Sequence, residues 1–307
     1  MYGYSTSMFL INSFIYSSAP PVETEFKMTV DTTQPGSASD TFVLPLQNGA
    51  TSMTVYWGDG NSDVITTYNQ SELTHVYASS GTYQISLDGS FSGIRFAGGG
   101  DCRKLSSIDN WGNNQWQEMS YSFYNCSNMV GTYTDNPDTS LVGNMYGAFR
   151  ACSSFNSDLI FDCSNVTTMG FMFFGCSVFN SDVTFTNTSN VLSMGAMFRT
   201  ATVFNKPLNF DTSSVTDMSN MLRSTAFDQD ISGFNISSLT TASAMFLYNT
   251  AFSTTNYDLL LVGWEGQTHN NSVNFHAGTA QYSSGAPATA RAGLISDSWT
   301  ITDGGQV

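Results

Sequence analysis

The chain has 307 residues, 41% of them hydrophobic and 14% aromatic, enough for one or two packed cores. Its net charge of −15, with only 9 Lys and Arg residues, leaves no cationic footprint for nucleic acid and predicts a soluble, self-repelling surface. Only 11% of residues are charged, so Ser, Thr and Asn supply most of the polarity.

Residues 1–25 come first. Met1 to Pro21 contains no Lys, Arg, Asp or Glu and is rich in aromatics. The apolar run Met8–Ile11 has no basic residue before it and is broken by Asn12 and Ser13, so a secretory signal is not expected. Nothing approaches the roughly 20 apolar residues of a membrane span. The segment is expected to dock into a larger assembly through Tyr2, Tyr4, Phe9, Phe14 and Tyr16. The alternative is a tail folded back on its own domain.

Residues 26–95 alternate short apolar runs with turn residues. Phe26–Val30, Thr41–Leu44, Met53–Trp57, Asp63–Thr66 and Tyr83–Leu87 read as strands of a small β-sandwich. Trp57-Gly-Asp-Gly60, His75-Val-Tyr77 and Gly81-Thr-Tyr83 stand in the order found in the PKD domain, an Ig-like extracellular module, which this segment resembles. That resemblance makes His75 a structural residue. The run Ile94–Phe96 is expected to lead directly into the next region, so that the sandwich caps its open end.

Residues 96–255 repeat about every 24 residues. Ser140, Ser164, Ser189, Ser213 and Ser237 mark the period. Val142, Val166, Val191, Val215 and Leu239 follow, then Met145, Met169, Met194, Met218 and Ala242. Phe149, Phe173, Phe198, Leu222 and Phe246 make one aromatic column, and Phe155, Phe179, Phe204, Phe227 and Phe252 a second. A period of this length predicts a solenoid, each repeat burying its apolar face against its neighbours. Leu159–Phe161, Val183–Phe185 and Leu208–Phe210 are expected as one short parallel strand per coil. Val166, Met169, Met172 and Phe173 have the spacing of a short helix or 3₁₀ turn. Asn156, Asn180, Asn205 and Asp228 recur after the second aromatic and are expected to bond adjacent turns.

The line V-T-x-M-x-x-M-F-x-x-[AC]-x-x-F-N is met at Val166–Asn180 and more loosely in the other repeats. On it, residues 96–305 resemble the BspA-like surface proteins, whose leucine-rich-like repeats occur in bacterial surface and phage-encoded proteins. Leu105–Trp116 looks like the entry line of that array. Residues 256–307 look like its C-terminal cap, with a helix over Tyr257–Trp264, a second opened by Pro287, and a last strand at Trp299–Thr302. The fold class expected is therefore mainly β, a PKD-like sandwich followed by a leucine-rich-type solenoid. The resemblance implies adhesion or surface recognition and no shared enzymatic reaction.

Chemistry is sparse. Cys102, Cys126, Cys152 and Cys176 recur with the repeat and read as small buried hydrophobes. No zinc spacing, Walker loop, G-x-S-x-G or H-E-x-x-H occurs among the residues, so no catalytic residue, metal or cofactor is expected. Asp158, Asp182 and Asp230 recur with the period and read as turn caps. One column differs. The residue after the first aromatic runs Tyr124, Arg150, Phe174, Arg199, Arg223 and Leu247, so three of the 9 basic residues share a stripe. Tyr124, Arg150, Phe174, Arg199 and Arg223 are the candidate ligand-binding residues, stacking sugars or pairing with anionic glycans. The alternative is a solvated flank whose Arg stems cover apolar surface. The expected function is non-enzymatic recognition, as a phage virion component presenting the solenoid to a host receptor or glycan. Residues 1–25 would hold it to other virion or surface-assembly proteins. A structural virion decoration protein and a bacterial cell-surface adhesin are the alternatives.

Overall fold

The computed structural model describes residues 23–307. The docking candidates Tyr2, Tyr4, Phe9, Phe14 and Tyr16 lie outside them. The described chain is mainly β, with two α-helices near its C-terminal end.

The N-terminal strands are β1 (Phe26–Asp31), β2 (Thr41–Val43), β3 (Thr51–Tyr56), β4 (Ser62–Ile65), β5 (Thr74–Val76) and β6 (Thr82–Phe91). Alternation decides which side is buried: Phe26, Met28 and Val30 of β1 face inward while their neighbours are half-buried. Then come β7 (Leu105–Asn110) and β8 (Val130–Gly131). One six-stranded sheet has the order β4-β3-β6-β1-β7-β8, and β2 pairs with β5 separately. β7 is the junction. It runs antiparallel to β1 through two register shifts and parallel to β8 on its other edge. The expected boundary at residues 95/96 therefore falls inside a continuous sheet.

A buried ion pair ties this junction down. Lys104, fully buried, donates through Nζ to the carbonyls of Ser37 (3.2 Å), Ala38 (2.8 Å) and Thr41 (2.7 Å) and to Ser37 Oγ (3.0 Å). Asp101 lies 3.7 Å from Nζ and accepts from the backbone N–H groups of Ser37 and Val43.

Beyond β8 the repeats stack in register. β9 (Leu159–Asp162) and β10 (Val183–Thr186) are parallel, with Leu159 opposite Val183 and Phe161 opposite Phe185, one repeat apart. A second line of parallel bridges joins Asn144, Thr168, Ser193, Asp217 and Thr241 in turn. It passes into a three-stranded parallel sheet of β11 (Thr241–Ala242), β12 (Asn274–His276) and β13 (Thr300–Thr302). The strand expected at Leu208–Phe210 does not form. Pro207 stands just before it and has no N–H to repeat the bond that Asp182 N makes to Asp158 Oδ1 one repeat earlier.

The segment expected as a short helix or 3₁₀ turn is a chain of separate turns closed three residues back, not a continuous helix. The N–H groups of Met172, Phe174 and Cys176 bond three residues back, to Met169, Phe171 and Phe173. Those of Met169, Phe171, Phe173 and Gly175 bond forward to Ser193, Gly195, Met197 and Arg199 of the next repeat. Left-handed backbone at Phe171 (φ 58°) and Gly175 (φ 75°) enforces this division, because a helix cannot propagate through it. The same two positions are left-handed at Ala196 and Thr200, Asn220 and Ser224, and Ala244 and Tyr248.

Inside, the valine, methionine and first aromatic columns are buried. Phe155, Phe179 and Phe204 lie on one face, their rings 6.0 and 5.9 Å apart and within 10° of parallel. Phe149, Phe173 and Phe198 stack beside them at 5.4 and 5.6 Å. The Asn column bonds repeat to repeat. Asn156 Oδ1 accepts from Asn180 N, Asn180 Oδ1 from Asn205 N, and Asn205 Oδ1 from Asp228 N, each at 2.8 Å. Helix α1 (Thr254–Glu265), capped by the Ser253 hydroxyl, and helix α2 (Ala286–Ser296), with Pro287 in its first turn, pack together at the C-terminal end.

Candidate ligand-binding face

Each stripe residue follows a buried side chain and precedes a left-handed residue, so its backbone is held on both sides. Arg150 N donates to Gly147 O at 3.1 Å, and Arg150 O accepts from Asn125 N at 2.8 Å. Arg199 N donates to Ala196 O at 3.2 Å, and Arg199 O accepts from Gly175 N at 2.9 Å. Arg223 repeats the pattern with Asn220 and Thr200. The side chains thus start from fixed points, one per repeat, and all six of the column are half-buried.

The structure brings Tyr124, Arg150, Phe174 and Arg199 together as a ladder. The Arg150 guanidinium lies 4.8 Å from the Tyr124 ring centre and 5.1 Å from that of Phe174. Arg199, from the repeat beyond, lies 5.4 Å from Phe174. Phe174 is therefore flanked by guanidinium groups from both neighbouring repeats. Arg223 stands apart from the ladder, 5.1 Å over the Tyr248 ring, and donates Nη1 to Asn220 Oδ1 at 3.0 Å.

Sequence reasoning missed a second row beside the first. Tyr121, Tyr146 and Phe171 contact one another at 5.4 and 5.2 Å, Arg150 reaches Phe171 at 5.4 Å, and Arg95 lies 5.6 Å from Tyr121. The signal for it was an aromatic one or two residues after the methionine column. Arg95 gave no such signal, because it precedes the first recognisable repeat.

Charge is divided unevenly. Among the described residues, Lys27, Lys104, Lys206 and Arg291 each have a carboxylate within 4.0 Å. Arg95, Arg150, Arg199 and Arg223 have none, nor does Arg103 away from the face. A guanidinium lying on a ring keeps its in-plane N–H groups for other partners. Arg199 Nε is shielded from solvent and has no acceptor among the described residues. A buried donor left in that state costs about 1–3 kcal/mol.

The other polar clusters are committed to the fold. A cleft of about 540 Å³ is lined by Glu23, Asp109, Asp135 and neighbouring Asn and Thr residues. Burial pushes the Asp109 carboxyl up, but hydrogen bonds from Ser107, Thr29, Gln84 and Thr132 hold it below its ordinary 3.8. Asp135 accepts from the backbone of Trp111 and Gly112. His75 bonds Asp59 at 2.9 Å and stacks on Trp57 at 4.7 Å. The five cysteines are buried free thiols, and burial pushes Cys163 and Cys176 up to about 12. Among the described residues no group of three or more His, Cys, Asp or Glu is placed to hold a metal, and no helix is long and apolar enough to cross a membrane.

Three overlapping stretches, 95–207, 160–260 and 183–282, match the family described as Mycoplasma protein of unknown function, DUF285. The chain belongs to the DUF285 family. No curated protein and no solved structure matches it. The DUF285 stretch begins at Arg95 and ends at Tyr282, beyond β12, so it holds the whole Arg/aromatic face.

Proposed function

We propose that this protein is a non-enzymatic recognition protein whose Arg/aromatic face binds an acidic ligand on a surface. One observation carries the reading. In a chain of net charge −15, four guanidinium groups without a carboxylate partner share one face, with aromatic rings between or beneath them. Although the chain has 24 carboxylates, four of the five described Lys and Arg residues left without one within 4.0 Å lie on this face. An acidic oxygen arriving in the guanidinium plane adds a charge-assisted bond without disturbing the ring contacts.

The fold reading that accompanies it is a PKD-like, Ig-like sandwich leading into a BspA-like solenoid of the leucine-rich type. The stacked columns and the one-repeat register of β9 on β10 support it. The setting in this reading is a virion surface, with residues 1–25 as the anchor to neighbouring proteins and the host receptor or glycan as partner.

The test is binding of carboxylated and sulfated glycans, with neutral analogues as controls, at low salt where screening is least. The triple variant R150Q/R199Q/R223Q should lose at least ~10-fold in affinity, since one charge-assisted bond is worth about 1.5–3 kcal/mol. Equal binding by the triple variant and the parent protein overturns the proposal.

A further inference from the structure

The spacing of the cations bears on the shape of the ligand. Parallel pairing of β9 and β10 one repeat apart sets a step of about 4.8 Å, and equivalent rings, offset along the stack, lie 5.3 to 6.2 Å apart. Arg95 sits against Tyr121 of the first repeat. Arg150 belongs to the second repeat, Arg199 to the fourth and Arg223 to the fifth. Arg150 and Arg199 are separated by the repeat that contributes Phe174, so these two cations stand two steps apart, and Arg223 follows Arg199 by one step. On this basis, and resting on the recognition reading above, we propose that the ligand is a linear acidic polysaccharide lying along the stack axis, with an acidic group on alternate sugars.

Three features select this class. The charges are sparse: a nucleic-acid strand carries a phosphate about every 3.4 Å, far denser than Arg95, Arg150, Arg199 and Arg223 spread over the stack, and the acidic remainder of the protein repels such a polymer. An extended pyranose unit is about as long as one repeat is thick, so alternate acidic sugars meet alternate repeats. Hydroxyls flank the row. Three residues on from the stripe, Ser153 Oγ donates to Ser127 O, Ser177 Oγ to Ser153 O and Thr202 Oγ to Ser177 O. Each hydroxyl commits its proton to the preceding repeat and keeps its oxygen as an acceptor for a sugar hydroxyl. The guanidinium groups of Arg150 and Arg199 beside Phe174 fit the same arrangement, because the chain would lie across guanidinium edges.

Size-defined hyaluronan oligomers, which carry one carboxylate per disaccharide, test this on the intact protein by calorimetry. Affinity should rise at least ~10-fold from disaccharide to hexasaccharide and then level off, as the three carboxylates of the hexasaccharide fill the row from Arg95 through Arg150 to Arg199. The charge-conserving double variant F174R/R199F moves one cation by one step, and should bind the hexasaccharide at least ~10-fold more weakly while still binding free glucuronate. A disaccharide bound as tightly as the hexasaccharide overturns the extended ligand but leaves acidic recognition standing. So does tighter binding of single-stranded oligonucleotide or of an acidic peptide than of the glycan. Failure of every acidic ligand to bind overturns both this inference and the function it rests on. The length series uses the unaltered chain, so it decides the matter even where the double variant does not fold.

Discussion

The N-terminal sheet and the repeat stack pack their aromatics differently. Around β1, Phe26, Phe91 and Trp116 meet edge to face, at 73° to 79°. In the stack, Phe173 lies 6° from Phe198 and Phe179 lies 8° from Phe204. Translation explains the contrast. When one unit is copied along an axis, each side chain meets its own copy in the same orientation, so planar rings become parallel and offset. A core built once has no such constraint: around Phe26 it takes the edge-to-face geometry that the ring quadrupole favours, while Tyr77 and Tyr83 on the same side stack at 13°. The cations divide by side chain rather than by region. Lys27, Lys104 and, in the stack, Lys206 are paired with carboxylates, whereas Arg95, Arg150, Arg199 and Arg223 meet rings.

The largest effect expected is at the centre of the stack. Phe179→Ala should cost about 3–5 kcal/mol. Phe155→Ala, at the start of its column, has one column neighbour instead of two, and should cost less by about one ring pair, ~0.5–1.5 kcal/mol. Chemical denaturation of both variants measures this, and equal costs would break the translational account. On the sheet side, Lys104→Met strands Asp101 as a buried carboxylate and should cost about 3–5 kcal/mol. If it is tolerated, the junction does not depend on its ion pair. Because β7 joins the two regions through β1 and β8, either variant should melt in a single transition. Two separated transitions would show that the regions fold independently.

Much of this was legible in the sequence because a repeat gives every position several independent readings. Phe155, Phe179 and Phe204 could be assigned to one face from spacing alone. The alternation in Phe26–Val30 likewise marked the buried side of β1. The junction was not legible, since pairing between β1 and β7 crosses a long sequence separation that leaves no local trace. The split backbone around Phe171 was hidden for a different reason. Its apolar spacing is that of a helix, while its left-handed residues include Phe, Thr and Ser, which carry no glycine signal. At the candidate face, the stripe was visible but the second row and Arg95 were not. Contacts between side chains of different columns depend on how far each reaches, and periodicity does not report that.

Smaller effects sharpen the comparison further. Hydrogen bonds from Ser164 and Ser213 hold Asp162 and Asp211 in the stack below their ordinary 3.8, as several donors do for Asp109 in the sheet. The unfolded chain therefore takes up protons first, and this stability is complete above about pH 4 and lost as pH falls through the lowered values. Melting temperature followed from pH 6 to 2 should decline, and Asp109→Asn should flatten the decline. An unchanged slope would mean that Asp109 is not held as described. The smallest effect is at Thr200, a β-branched residue at φ 60° where the preceding repeat has Gly175. Thr200→Gly should stabilise by up to about 1 kcal/mol, the relief of left-handed strain exceeding the entropy of glycine. Loss of stability would show that Thr200 packing matters more than its backbone.

The forward hydrogen bonds from each repeat to the next follow one rule along the array. That rule makes the structure editable by duplication. Insertion or loss of one 24-residue unit leaves every surviving unit with the neighbour geometry it had before. The same event shifts all the arginines beyond it by one step relative to those before it. A lineage could therefore change the spacing of the guanidinium groups along the stack through recombination alone, without altering any residue of the core.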